Sequence, residues 1–290
     1  MKKIRLAIFL LFIASTAFSQ RVSLGVFGGL SAYNGDLTDK LFPKKVTNGA
    51  IGLTLNYEIA DQIMLRVGYT HTIIGGADRF SDDSSLIKRN LAFETVLNEF
   101  SVVGEYYLFN LYERKISPYA FAGLAVFHYN PYAFDANHNK TFLKPLSTEG
   151  QDISGYPDRT AYGLTQAAIP FGGGVKFAVS ERLRIGLELG MRKLFTDYLD
   201  DVSKNYIDPA DLLAARGQTA VDMSYRGDEI TGGSSTYPAK SVQRGNSNNN
   251  DFYYFTGIHI TLKLGSGYGG SSGGGGRGNS RRYGCPANIQ

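Results

Sequence analysis

Along most of the chain, apolar and polar residues alternate one for one. In AIGLTLNYEI the residues Ile51, Leu53, Leu55, Tyr57 and Ile59 share one side of an extended backbone, and Gly52, Thr54, Asn56 and Glu58 share the other. LRIGLELGMR sets Leu183, Ile185, Leu187, Leu189 and Met191 against Arg184, Gly186, Glu188, Gly190 and Arg192. GIHITLKLG sets Ile258, Ile260, Leu262 and Leu264 against His259, Thr261 and Lys263. A period of two is the mark of strands with two unlike faces. The pattern predicts eight of them, near residues 22–35, 48–60, 63–76, 91–108, 117–130, 166–179, 183–198 and 251–264.

The joints between these strands are of two kinds. The second, fourth and sixth are short (ADQ, NLYERKIS, SER), and the other four are long, the last spanning about 200–250. Short turns on one rim and long loops on the other, with an even strand count, predict an all-β fold. The expected fold is an eight-stranded antiparallel transmembrane outer-membrane β-barrel with long extracellular loops and both termini in the periplasm. Closure follows from hydrocarbon as solvent, because an open sheet edge would leave backbone groups unsatisfied at several kcal/mol each. The apolar face then points to lipid, and Tyr and Phe near the strand ends suit interfacial girdles. The last long loop is polar and rich in Ser, Asn and Gly, so it is expected to stay unordered and accessible.

Composition refines this picture at the two ends. MKKIRLAIFLLFIASTAFSQ has Lys2, Lys3 and Arg5, then an apolar stretch, then Ala17-Phe18-Ser19, the layout of a secretory signal cleaved after residue 19. The formal charge of +4 drops to +1 without those three basic residues. It drops to −2 for residues 20–264 once Arg277, Arg281 and Arg282 are set aside, so the basicity is no argument for nucleic acid. The expected organisation is signal 1–19, barrel 20–265 and a glycine-rich periplasmic tail 266–290.

Eight strands leave a bore that side chains can fill. The predicted inward faces carry Glu58, Glu105 and Glu188 with Arg66, Lys176, Arg184, Arg192 and Lys263, which reads as an interior charge network plugging the barrel rather than lining a conducting pore. Other chemistry is sparse. His71, His128, His138 and His259 are scattered without ligand spacing, and His71 reads as an interfacial imidazole. A set of His128, Ser147 and Glu149 could be drawn as a hydrolase triad, as could such a set in almost any chain. Asp197, Asp200 and Asp201 could suit a hard cation, but the reading taken is an acidic strand end leading into a loop. The glycines of PFGGGVKF lie within a strand with no helix after them, which excludes a phosphate loop and points to close packing inside the barrel. No enzyme activity, cofactor or metal is expected.

Four stretches, YNGDL at 33–37, FHYNPYAF at 127–134, LKPLSTEGQ at 143–151 and FTDYLDDVSKNY at 195–206, together resemble the PorG-like outer-membrane barrels associated with the type IX secretion system. The resemblance spans roughly residues 22–265. It implies a non-catalytic barrel that engages a periplasmic ring built from a PorK/GldK-type lipoprotein and its PorN/GldN-type partner. An OmpA-like barrel that is structural or binds a surface ligand is the competing reading.

Cys285 is the only cysteine, beside Arg281 and Arg282 at the end of a Gly-rich run. An odd cysteine in an oxidising compartment suggests an intermolecular disulfide or a free reactive thiol. A flexible linker of some 20 residues reaches roughly 25 Å, and neighbouring arginines favour the thiolate. Arg281, Arg282 and Cys285 are therefore the candidate partner-binding residues, and Cys285 is the candidate for an intermolecular disulfide.

Overall fold

The computed structural model describes residues 21–38 and 46–264. The expected signal segment, the glycine-rich tail, Arg281, Arg282 and Cys285 lie outside the described residues.

Eight long strands form the wall: β1 (Val22–Asn34), β2 (Asn48–Ala60), β3 (Ile63–Ala77), β4 (Ala92–Tyr107), β5 (Ile116–His128), β8 (Thr165–Ala178), β9 (Leu183–Leu194) and β10 (Phe252–Lys263). Between β5 and β8 a small hairpin, β6 (Tyr132–Phe134) and β7 (Lys140–Phe142), continues the sheet beyond β4. Neighbours pair antiparallel in the order β3, β2, β1, β10, β9, β8, β5, β4, and a final β3–β4 ladder from Ile63↔Tyr106 to Ala77↔Ala92 closes the ring. A closed ring has no free edge within the wall, as a strand that crosses lipid requires. No helix among the described residues is long and apolar enough to cross a membrane.

The alternation sorts the side chains as two-faced strands must. Ile51 is 66% exposed and Leu124 71%, and Leu53, Val26, Leu187 and Ile260 lie on the same outer wall. Burying one such side chain is worth about 1.5–3 kcal/mol, so an exposed band of this kind calls for lipid around it. The inward positions carry glycines, polar and charged groups, and buried aromatic and apolar side chains such as Phe27, Met64, Phe121 and Phe255. Gly172 and Gly190 show why some have no side chain: a Cβ on either would sit 2.9 or 2.8 Å from the ring of Phe121, which fills the bore between them.

Two expectations are corrected. β9 was expected to run to 198 but ends at Leu194. Asn250 there donates to the Leu194 carbonyl at 3.3 Å, the Asp251 amide bonds the Thr196 carbonyl, and the chain turns across the mouth. The segment near 200–250 was expected to lack the apolar surface needed for order. It folds, with helices α2 (Pro209–Arg216) and α3 (Gln218–Ser224), the shorter helix α1 (Ser84–Arg89) lying in the β3–β4 loop. Asp208 caps α2 by accepting from the Ala210 amide at 2.8 Å. Ile207, Leu212 and Ala220 pack with Ile153 and Tyr156 of the β7–β8 loop, so two loops supply together the core that neither holds alone.

The largest core lies within the long-loop mouth. It joins Phe27, Tyr33, Ile74, Phe93, Leu97, Phe127, Tyr253 and Phe255 of the wall to Leu143, Leu199, Val202 and Met223 of the loops. The loops are thus a lid packed on the barrel.

Candidate functional site

The bore carries four tiers of charge, the uppermost interleaved with the inner part of that core, where Glu99 lies opposite Phe127 and Arg192 opposite Tyr253. Nearest the short turns, Tyr112 reaches in from the β4–β5 turn, donating to Glu58 Oε2 at 2.7 Å and accepting from Lys263 Nζ at 2.7 Å. Arg184 Nη2 lies 3.6 Å from the same Glu58 oxygen. In the next tier Lys176 Nζ donates to Glu105 Oε2 at 3.0 Å and to the Tyr107 hydroxyl at 2.6 Å, while Tyr107 donates to Glu105. Arg66 spans this tier and the third: Nη1 lies 3.0 Å from Glu105 Oε1 and donates to Glu188 Oε2 at 2.6 Å, and Nη2 donates to Glu188 Oε1 at 3.1 Å. Tyr119 donates to Glu188 Oε2 at 2.6 Å, and His259 Nε2 lies 3.4 Å from Oε1. In the fourth tier Arg192 donates twice to Glu99, at 3.0 and 3.2 Å, and Tyr253 donates to Glu99 Oε2 at 2.7 Å.

The structure therefore places Glu58, Arg66, Glu105, Lys176, Arg184, Glu188, Arg192 and Lys263 inside the barrel, though in separate tiers. Apart from Glu58 and Lys263 they are buried. Charges out of water are costly unless paired and hydrogen-bonded, and the tyrosine hydroxyls supply bonds that the charged partners leave open. The gap beside Arg66, Glu188 and His259 has a volume of about 20 Å³, room for one water. The bore is a packed interior and not a water column.

Sequence reasoning missed Glu99, the partner of Arg192, although it lies six residues before Glu105 on the same face of β4. It also left His259 among the scattered histidines and gave tyrosines only an interfacial role. Tyr107, Tyr119 and Tyr253 occupy inward positions of their strands, a parity visible in the sequence; that their hydroxyls meet carboxylates on distant strands is not.

Above the apolar layer the lid has its own polar framework. Arg244 donates to Glu149 Oε1 at 3.1 Å and to the Asp201 carbonyl at 2.7 Å, and the Glu149 carboxylate accepts from the amides of Ser203 and Lys204 at 2.9 Å. Asp201 accepts from Thr148 at 2.5 Å and from Tyr162 at 2.7 Å. Burial lifts the Asp201 carboxyl to about 6 against the opposing pull of Arg244, and burial lifts Asp197 to about 8. Arg89 clamps Asp78 through two bonds of 2.7 Å.

The other candidate groups are not brought together. His128 lies on the outer wall with Thr165 at 3.0 Å, Ser147 accepts from Arg216 Nε at 3.1 Å, and Glu149 is buried against Arg244. Asp200 and Asp201 turn to different partners, Tyr33 for the first and Thr148 with Tyr162 for the second. Among the described residues no group of three His, Cys, Asp or Glu side chains is placed to hold a metal ion. His71 meets Asn98 Oδ1 at 2.8 Å on the outer wall, where Tyr69 also donates to it.

A closed eight-stranded antiparallel wall with an apolar exterior and a charge-filled bore defines a transmembrane β-barrel of the outer-membrane type. The family described as "Domain of unknown function (DUF6089)" matches residues 2–208, and the chain belongs to it. No curated protein matches the sequence. Solved structures that resemble it include Neisserial surface protein A (10% identity, 83% of this chain, 96% of that one, TM-score 0.42). Ail, the attachment invasion locus protein of Yersinia pestis, is another (11%, 84%, 99%, 0.37). A third is OprG from Pseudomonas aeruginosa (8%, 84%, 97%, 0.37). At these scores the likenesses carry no argument, and the assignment of the fold rests on the strand pairing and burial above.

Proposed function

We propose that the protein is a non-catalytic barrel of the Gram-negative outer membrane that anchors or positions a periplasmic protein complex. The PorG-like motifs point to the ring of a type IX secretion and gliding machinery as that complex. The observation that supports the reading is the filled bore: four tiers of interlocked side chains occupy it, so the protein acts through its two rims and whatever they hold. In this reading the long loops face outward and both termini face the periplasm. Residues 266–290 form the arm that meets the ring, with Arg281 and Arg282 making first contact and Cys285 forming a disulfide with a ring subunit.

Three of the four stretches that carry the resemblance meet in one place. Tyr33 and Asp36, Glu149, and Asp200 to Ser203 all belong to the framework under the lid. These motif residues thus build the lid of this barrel.

One observation favours the competing reading, a barrel that binds a surface ligand. A cleft of about 530 Å³ opens on the lid between α1 and the β9–β10 loop, lined by Tyr206, Tyr225, Lys88, Gln243 and Pro238 among others. Affinity purification from solubilised membranes separates the two readings. With residues 266–290 deleted, the anchoring role requires loss of the PorK/GldK-type and PorN/GldN-type subunits, and recovery of an unchanged set of partners overturns it.

A further inference from the structure

The β9–β10 loop leaves and re-enters the barrel beside one tyrosine. Asp200, shortly after β9, and Asp251, the residue before β10, both turn inward to the hydroxyl of Tyr33 on β1. Tyr33 donates to Asp200 Oδ2 and lies 3.3 Å from Asp251 Oδ1. The second oxygen of each carboxyl holds the loop itself: Asp200 Oδ1 accepts from the Val202 amide and Asp251 Oδ2 from the Leu199 amide, both at 2.9 Å. All three side chains are buried.

A phenol carries one proton, so Tyr33 can donate to only one of the two carboxyls. The other contact is a hydrogen bond only if that carboxyl is protonated and donates to the phenol oxygen. The surroundings do not supply the missing charge. Asp36 faces the pair from the β1–β2 loop and Asp197 from beyond β9, both of the same sign. Arg89 is engaged by Asp78, and Arg244 by Glu149 and Asp201. Like charges buried this close are not both ionised.

We propose that Asp200, Tyr33 and Asp251 share one extra proton and form a latch that pins both ends of the β9–β10 loop to the barrel mouth. Burial, and after it the charge of a neighbour (Asp251 for Asp200, Asp197 for Asp251), holds both carboxyls well above the usual carboxylate range. The closed form therefore binds a proton that the open form releases. Closure is strongest below the ordinary aspartate value and is lost as pH rises through the value in the closed lid. Over that window the opening equilibrium grows about tenfold per pH unit for one proton. What opens is the lid, since the Arg66–Glu188 and Arg192–Glu99 pairs are made between wall strands and do not involve the loop.

Hydrogen exchange on the full barrel in lipid nanodiscs tests this, read as protection factors corrected for the intrinsic rate. The peptide covering the Leu199 and Val202 amides should lose protection as pH rises, by up to tenfold per pH unit from the latch in addition to the contribution of Asp197. Asp251→Asn and Asp200→Asn, each able to bond Tyr33 without the extra proton, should remove the latch's share of that slope and leave the share of Asp197, while heat-modifiable migration shows the barrel intact. A slope that is flat in the wild type, or equal in the wild type and both variants, overturns the latch. If one variant does not fold, the slope of the other decides.

Discussion

Arg66 and Glu188 meet across the bore in a two-pronged ion pair, with Nη1 to Oε2 at 2.6 Å and Nη2 to Oε1 at 3.1 Å, from strands that are not neighbours in the wall. Such a pair ties the two sides of the barrel together. Its worth lies less in net attraction than in what remains when one partner goes. Glu188→Ala leaves the buried Arg66 with Glu105 as its one carboxylate partner beside His259, and removes the acceptor of Tyr119. The expected loss is about 3–5 kcal/mol, read as a lowered urea midpoint of the barrel folded in lipid vesicles. Replacing Arg66 and Glu188 together by Met should recover part of that loss, and a double variant as unstable as the two single losses added would contradict the pairing.

Asp197 gives a pH dependence with a definite sign. Burial raises its carboxyl to about 8 in the folded lid, against about 3.9 for an exposed aspartate. The folded lid therefore holds a proton that the opened lid gives up, so this contribution is complete below about pH 4 and falls away as pH rises toward 8. Asp197→Asn is expected to slow cleavage of the lid by added protease at pH 8 and to change little at pH 4. Faster cleavage of the variant at pH 8 would contradict the assignment.

The β9–β10 loop is expected to resist protease at its buried segments, Leu199 to Ile207 and Met223 to Tyr225. Val202 to Ile207 and Leu212 to Met223 contribute buried residues to the lid, whereas Glu229 to Lys240 is largely exposed. Trypsin added to intact cells should cut first at Lys240, and mass spectrometry of the fragments locates the cut. Early cleavage at Lys204, whose Nζ donates to the Asp158 carbonyl, would mean that the lid is open. Cleavage that needs a permeabilised outer membrane would invert the topology.

The wall was legible in the sequence because lipid on one side and a narrow bore on the other force a strict alternation. The expected strand 48–60 and the observed β2, Asn48–Ala60, are the same element. Parity also tells which face Glu105 and Arg66 occupy. It does not say that Glu188 reaches Arg66 or that Glu99 takes Arg192, because partners across a barrel depend on the stagger between strands. The lid was not legible for a different reason. Its apolar residues, such as Ile207, Leu212 and Ile153, are thinly spread in two loops about 50 residues apart, and neither loop shows a core until the other is placed against it. Asp200 and Asp251 looked like ordinary loop ends, and only the fold brings both to Tyr33.

The partner-binding proposal for the C-terminal arm has its own test. If Cys285 forms a disulfide with a periplasmic subunit, non-reducing gels of membranes should show a higher-mass band that disappears on reduction and in Cys285→Ser. Lanes of wild type and variant that are identical would exclude the covalent link.

The most direct test of a filled bore is electrical. The purified, refolded barrel added to planar lipid bilayers is expected to give a baseline current with no discrete steps, and Arg66→Ala, which empties part of the second and third tiers, to admit small fluctuating leaks. Large, stable single-channel steps from the wild-type protein would contradict the account.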